Sequence, residues 1–433
     1  MNQQSAVATL LREQATRSQL EVLDAAITVA ESRRTPIYIV GGAVRDLLSG
    51  GFSGDLDLVT EGDGVEIARG IAVTLGARFS AHKRFGTATV SLGDSHVDFA
   101  SARQESYSAP AVLPSVGPGT LEQDLARRDF SVNAMAVSLW PNQGIELIDP
   151  FNGRSDLDSN TLEVLHPKSF IDDPTRILRA IRLESKSALR LSSRAVELAR
   201  EALQQGVFDL LSGDRLRSEF EQLFDTPSDI RAIVTRLAEL YLLPTLSPNL
   251  ALTSAQMEWF ERLAMARTAL DSMAFGTKPP TWWLIYLFVL TSTLDHAERV
   301  ALARRLSIQS KQAEFLAAGP EKIQQLESEL GTPDLPPHRV DEILRESKPE
   351  EVVLLSASGT FAVRNWVTKW QQELRSVALA ISGEDLLAEG FEPGPWIGRA
   401  LDAVRNARLD GSIEAEAELG FALNHLASRS GRN

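Results

Sequence analysis

Between residues 37 and 100 the chain alternates short apolar, β-rich runs with glycine-containing or polar turns. Ile37-Tyr38-Ile39-Val40 ends in Gly41-Gly42, and a second run carries Asp55-Leu56-Asp57-Leu58-Val59. Runs of this kind bounded by glycines predict strands, here with a short helix from Val44 to Leu48 between them. Thr87 to Leu92 and Ser95 to Ala100 predict two more strands around a Gly93-Asp94 turn, and Ala136 to Leu139 another. From Ser169 onward the period changes: apolar residues recur three and four apart in Ile177 to Leu183, Ala195 to Leu203 and Leu216 to Leu223, the spacing of one helix face. Pro and Gly punctuate this stretch at Ser247-Pro248, Pro279-Pro280, Gly331 to Pro337 and Glu392 to Pro395. The pattern predicts an α+β fold, a mixed α/β region up to about residue 165 followed by helices. Ala109 to Thr120, with three Pro and two Gly, reads as a mobile loop.

Composition narrows the class. A length of 433 residues suggests two to four domains, and 43% hydrophobic residues without a single Cys fit a globular protein that uses no disulfide or thiolate-metal chemistry. The longest apolar run, Trp282 to Leu290, is too short to span a bilayer, and no cleavable apolar leader opens the chain, so a cytoplasmic protein is expected. The net charge of -14 argues against a nonspecific nucleic-acid coat. Any RNA partner must then meet a local basic surface.

Three constellations carry chemistry. The first is Asp55 and Asp57, thirteen residues beyond Gly42 and preceded by Arg45 and Asp46. Residues two apart on a strand share a face, so the two carboxylates converge beside a glycine turn whose backbone can approach a phosphate. Carboxylates plus phosphate oxygens are how proteins hold magnesium. A chain this long contains roughly two Asp-x-Asp triplets by chance at average usage, and Asp156-Leu157-Asp158 repeats the pattern. That second pair follows Asn152-Gly153-Arg154-Ser155, where a Ser N-cap and acids favour a helix start and a structural role.

The second constellation is Asp124-Leu125-Ala126-Arg127-Arg128-Asp129-Phe130-Ser131-Val132-Asn133. Asp129 or Ser131 could cap a helix with solvated arginines beside it, or the guanidinium forks could grip a triphosphate or ribose. The third runs from Asp172-Asp173-Pro174-Thr175-Arg176 to Arg179 and Arg182. Pro174 suits a helix's first turn, and Asp173, Arg176, Arg179 and Arg182 spread over about half of its circumference. A salt-bridged surface face has this pattern. So does a pair that mimics a base edge, since a carboxylate accepts from the cytosine amine and Arg donates to ring acceptors, while uracil's carbonyl is repelled.

Together these motifs resemble the class II tRNA nucleotidyltransferases, the template-independent CCA-adding enzymes, and their bacterial poly(A) polymerase relatives. The resemblance rests on Gly41 to Asp46 with Asp55 and Asp57, Arg127 to Ala134, Asp149-Pro150-Phe151-Asn152-Gly153, Asp172 to Arg176 with Arg179 and Arg182, and more loosely Arg215 to Glu219. It covers roughly the first half of the chain. It implies a polymerase-beta-like nucleotidyltransferase head with an N-terminal helix at 1–165 and a flexible loop near 101–120. After the head it implies a nucleotide-selecting helical neck at 166–225, a helical body at 226–345 and a helical tail at 346–433.

The implied activity is addition of CCA to the tRNA 3' end from CTP and ATP, with A-only or CC-only addition and poly(A) synthesis as alternatives. Asp55 and Asp57 would bind two magnesium ions, or manganese. Gly42 and Arg45 would contact phosphates, and Arg128 and Asn133 the triphosphate and sugar. Asp173 with Arg176 would read the base. Arg179 and Arg182 would support that helix or touch phosphate, Asp98 is a candidate accessory acid, and Arg215 and Glu219 read as scaffold. The expected partners are the acceptor end and elbow of tRNA, gripped near the tail segment Gly383 to Gly398; neither a membrane nor DNA is expected. One departure stands out: the template motif usually opens Glu-Asp, whereas this chain has Asp172-Asp173.

Overall fold

One seven-stranded mixed sheet organises the N-terminal region of the computed structural model, which describes residues 3–51, 54–82, 86–139, 145–225, 229–271 and 279–430. Two helices, α1 (Gln3–Gln14) and α2 (Arg17–Arg33), precede β1 (Ile37–Val40). Then come α3 (Gly42–Leu48), β2 (Leu56–Thr60), α4 (Gly64–Leu75), β3 (Arg78–His82), β4 (Thr87–Leu92) and β5 (Ser95–Ser101). A hairpin of β6 (Arg103–Ser106) and β7 (Ser115–Pro118) leads to α5 (Leu121–Ala126), and β8 (Ala136–Ser138) and β9 (Glu146–Ile148) return to the sheet. The spatial order is β3-β4-β5-β2-β1-β8-β9, and only β2 and β5 pair in parallel, because α4, β3 and β4 form the crossover between them.

Side-chain alternation gives the sheet two unlike faces. Ile37, Ile39, Leu56, Leu58, Val97 and Phe99 point to one face and pack with Val22, Ala26, Ile67 and Ile71 in the larger core. Each of the buried Val, Ile, Leu and Phe side chains among them contributes roughly 1.5 to 3 kcal/mol. Val40 and Val59 emerge on the opposite face against Leu121, Leu125, Ala134 and Ala136. Burial of Leu56 and Leu58 thereby commits Asp55 and Asp57 to the second face, where both are exposed. Local signals secure the helices behind: Thr16 and Gln19 form a capping box on α2, and Asp63 accepts from the backbone N–H groups of Val65 and Glu66 at the start of α4.

After the sheet come α6 (Gly153–Asp158), β10 (Thr161–Leu162), α7 (Ser169–Asp172), α8 (Thr175–Lys186), β11 (Arg190–Leu191), α9 (Ser193–Gln204) and α10 (Gly213–Asp225). The rest is helical among the described residues, from α11 (Ile230–Glu239) to α22 (Glu418–Ser430). Every residue of the apolar helix Trp282–Thr291 is buried. None of the described helices is long and apolar enough to cross a membrane. The chain divides into two compact units, Met1–Glu219 with Arg236–Thr245 and Phe220–Thr235 with Leu246–Asn433.

Several local expectations need correction. The stretch expected as an irregular loop contains β7, paired with β6 from Arg103↔Pro118 to Ser106↔Ser115, and Ala111 N–H donates to the Ile171 carbonyl. Its prolines fit because an edge ribbon of two strands has outward positions that need no N–H donor. The short helix expected from Val44 begins at Gly42, since Gly41 at φ 73° turns the chain two residues earlier. The β3 strand was not legible in Arg78-Phe79-Ser80-Ala81-His82 because an edge strand buries little and keeps no apolar run. Ser155 is no N-cap: α6 starts at Gly153, and the Asp149 carboxylate takes its first N–H groups, from Gly153 at 2.7 Å and Arg154 at 2.9 Å. Asp156 and Asp158 bond Ser131 and Arg154. Neither Asp129 nor Ser131 caps an α-helix; a single 3-10 turn, Ser131–Asn133, follows Phe130.

Candidate functional site

Asp57 stands on the cleft face of β2 with Asp55 immediately before that strand, and β5 adds a third acid because parallel register sets Asp57 beside Asp98. The neighbouring strand holds that third carboxylate, with Thr89 Oγ1 donating to Asp98 Oδ1 at 2.5 Å. The Asp57 carboxyl opens to solvent, yet the cleft walls displace enough water to raise its pKa. Arg128 pulls it down, while Asp98 and then Asp55 push it further up.

The glycine turn supports an arginine. Gly41 has φ 73°, and a Cβ there would strike Arg128 Nη1. A Cβ on Gly42 would make only ordinary contact with Arg45, at 3.5 Å. Gly41 is thus the glycine that lets the guanidinium lie against the backbone, a role the sequence reading did not separate from Gly42. Asp124, fully buried on α5, fixes both neighbouring arginines: Arg127 Nη2 lies 2.7 Å from Oδ1 and Arg128 Nη2 2.9 Å from Oδ2. Burial pushes the Asp124 carboxyl up, but Arg128 and Arg127 together hold it below the usual carboxylate range. Its three- and four-residue spacing from these arginines was the sequence signal for this clamp.

A chain of polar contacts crosses from the turn to α8. Arg45 Nη1 donates to Asn133 Oδ1 at 2.6 Å, and Asn133 Nδ2 donates to Asp129 Oδ1 at 2.9 Å. Asp129 Oδ2 then pairs with Arg179 Nη2 at 2.8 Å. Asp129 is buried, which raises its carboxyl; Arg179, Asn133 and Arg176 outweigh that and hold it low.

Asp173 lies in extended backbone between α7 and α8 rather than on the helix. Its Oδ1 accepts from Thr175 N–H at 3.1 Å, Thr175 Oγ1 at 2.6 Å and Arg215 Nη2 at 2.7 Å, which leaves Oδ2 for another donor. Arg215 Nη1 donates to the Ala111 carbonyl at 2.9 Å. Arg176 is not part of a solvated face. It is buried, with Nη1 donating to Ser169 Oγ at 2.6 Å and Nη2 to the Arg127 carbonyl at 2.7 Å. Arg182 lies 3.9 Å from Glu219, whose carboxyl is raised by burial against the pull of Arg182 and Arg179.

These side chains surround a cavity of about 530 Å³. Of the residues singled out from sequence, Gly42, Arg45, Asp57, Arg128, Asn133, Asp173, Arg176, Arg179 and Arg182 line it, whereas Asp55 and Asp98 do not. Arg127, part of the second constellation, also lines it; so do Arg103, Glu105 and Tyr107, which were not expected to and which nothing in their local sequence marks. Eight arginines face four carboxylates in this cavity, a positive pocket in a chain of net charge -14. Such a pocket suits a polyphosphate.

The donor set at its acid edge fits a divalent cation. Asp57 and the adjacent Asp55 lie two residues apart, Asp98 adds negative charge, and burial, then repulsion from Asp98 and Asp55, raises the Asp57 carboxyl. Among the described residues no three His, Asp or Glu side chains form a complete cage. Magnesium needs none, since it keeps waters or substrate oxygens among its ligands.

A mixed sheet bearing paired acids on one face, with an arginine-lined cavity beside them, defines a nucleotidyltransferase head. Residues 37–163 match the poly A polymerase head domain family, and residues 367–421 match tRNA nucleotidyltransferase domain 2. The CC-adding tRNA nucleotidyltransferase of Deinococcus radiodurans is 30% identical over 94% of this chain and 94% of its own length. The A-adding tRNA nucleotidyltransferase of Geobacter sulfurreducens is 34% identical over 88% of this chain, which spans only 44% of that longer protein. Among solved structures, an apo CCA-adding enzyme superposes with a TM-score of 0.82 at 28% identity, over 98% of both chains. The chain belongs to the tRNA nucleotidyltransferase family.

Proposed function

We propose that this protein extends the 3' end of tRNA without a template, adding CCA from CTP and ATP. The observation that carries the reading is the arginine-lined cavity, which joins Asp57 to Asp173 in one enclosure sized for a nucleoside triphosphate. Asp55 and Asp57 would hold two divalent cations, magnesium or manganese. When bound, such ions lower the pKa of the attacking hydroxyl and neutralise charge on the transferring phosphate.

The chain's own residues bind and orient. Arg128 and Arg45 grip the triphosphate beside the glycine turn, and Asn133, held by Asp129, meets the sugar. Asp173 Oδ2 accepts from the exocyclic amine that cytosine and adenine share and uracil lacks. Arg176, braced by Ser169 and the Arg127 carbonyl, donates to the ring acceptor, and two of its five N–H groups are spent on that bracing. Arg179 and Arg182 hold the selecting helix or add phosphate contacts. The head and neck, 1–165 and 166–225, would perform this chemistry, and the body and tail, 226–345 and 346–433, would bind the tRNA acceptor and elbow.

A-only addition is the second reading, favoured by the likeness to the A-adding Geobacter sulfurreducens protein. The hairpin β6–β7 supports an enzyme that handles more than CTP, since CC-only relatives are expected to have this segment shortened. The deciding experiment offers the purified chain four tRNA transcripts ending before C, or in C, CC or CCA, with CTP and ATP supplied separately. Full CCA addition predicts growth of the first three to CCA and no growth of the last. Growth of the CC end alone makes the protein A-adding, arrest at CC makes it CC-adding, and extension beyond CCA makes it a poly(A) polymerase.

A further inference from the structure

Base selection through Asp173 and Arg176 uses only the edge of a base; a bound base also presents two broad faces, and something must cover them. Among the described residues the cavity offers a single aromatic ring, Tyr107, which follows β6 and is half-buried. We propose that the Tyr107 ring is the surface on which the base of the incoming nucleoside triphosphate stacks, an inference that rests on the nucleotidyl-transfer reading given above.

Its surroundings support this. The ring is placed by a braced neighbour: Tyr107 Oη donates to Glu105 Oε2 at 3.2 Å, and Glu105 is held by Arg103 at 3.0 Å and Arg127 at 3.3 Å. It shares the cavity with the selecting groups Asp173 and Arg176, whose charges act on its phenol. Burial, then Glu105 and Asp173, push that phenol up to about 12, so the ring stays neutral at physiological pH and is no general base. Leu113 and Pro114 from the hairpin and Leu183 from α8 add apolar surface to the same cavity. Leu113 is 70% exposed. Arg176 does not serve as the platform, because Ser169 and the Arg127 carbonyl already fix its plane.

Stacking tolerates any base and grows with ring area, so Tyr107 supplies affinity while Asp173 and Arg176 supply choice. The test measures equilibrium binding of ATP, CTP and inorganic tripolyphosphate to the full chain by calorimetry, for the wild type, Tyr107→Ala and Tyr107→Phe. Loss of one base–aromatic stack predicts that Tyr107→Ala weakens ATP by about tenfold or more and CTP somewhat less, with tripolyphosphate unchanged and Tyr107→Phe within about twofold of wild type. Unaltered ATP and CTP affinity in Tyr107→Ala would overturn the assignment. Equal losses in Tyr107→Phe would also overturn it, by showing that the tether to Glu105 matters and the ring does not. Parallel weakening of tripolyphosphate would reduce Tyr107 to a wall that shapes the pocket. If the wild type binds tripolyphosphate but neither nucleotide, the nucleotidyl-transfer reading itself fails.

Discussion

Arg215 holds Asp173 at 2.7 Å across 42 residues of sequence, and its other η nitrogen holds the Ala111 carbonyl. One guanidinium therefore links the carboxylate assigned to base selection with the hairpin that walls the same cavity. Truncation of Arg215 to Ala should leave transfer measurable but loosen the discrimination of CTP and ATP from UTP by about tenfold, within the 1 to 3 kcal/mol of a good bidentate base contact. Asp173→Ala should do so more severely. Misincorporation of UTP, measured as a ratio of kcat/KM values, is the readout; unchanged ratios in both variants would remove Asp173 from the selecting role.

Asp55→Ala and Asp57→Ala should each lower nucleotide incorporation about a thousandfold or more, since several kcal/mol of transition-state stabilisation pass through the bound cations. Circular dichroism should be unchanged, because both side chains face the cleft and neither joins a core. The Asp156→Ala variant makes the contrast: it should cost some stability through its lost bond to Ser131 and leave incorporation near wild type.

Substitution of the two adjacent glycines should separate their roles. Gly41→Ala meets both a φ of 73° and the Arg128 guanidinium, so it should cost roughly 1 to 3 kcal/mol in strain and displace that arginine, with weaker triphosphate binding as the readout. Gly42→Ala places its Cβ at an ordinary 3.5 Å from Arg45 and occupies the first position of α3, so its effect should be several times smaller.

Asp124 ties stability to pH. Its carboxyl lies below the ordinary value in the folded chain, so its contribution is complete above the unfolded value near 4 and fades as pH falls through the lower folded value. Asp124→Asn should destabilise the first unit by about 2 kcal/mol at pH 7, less than loss of a fully buried pair because Arg127 and Arg128 remain partly solvated. The deficit in thermal midpoint should shrink below about pH 4, where the wild type also loses the charge. A deficit independent of pH would mean that the clamp acts through packing alone.

The strands that bury a face, β1, β2, β4, β5 and β8, were legible because apolar alternation bounded by glycines leaves a local record. The edge strand Arg78–His82 left none. The β6–β7 hairpin was hidden by its prolines, which read locally as a loop and are tolerated on an edge. Asp124 was within reach, since helical spacing to Arg127 and Arg128 announces an ion pair. Tyr107 and Glu105 were not, because their meaning comes from residues far along the chain, Arg127, Asp173 and Arg176, that line the same cavity.

The sequence by itself determined the classes of element, the common face of Asp55 and Asp57, and the order of motifs that carries the family resemblance. All three follow from periodicity and short-range spacing, which the backbone geometry of strands and helices imposes locally. Only the tertiary structure decided that Asp98 stands beside Asp57, that Gly41 and not Gly42 must lack a side chain, and that Arg215 and Arg176 brace the selecting residues. Those facts depend on parallel register, on close approach of an arginine to a turn, and on hydrogen bonds between distant segments. Such contacts exist only once burial of Leu56, Leu58 and their neighbours has brought the segments together.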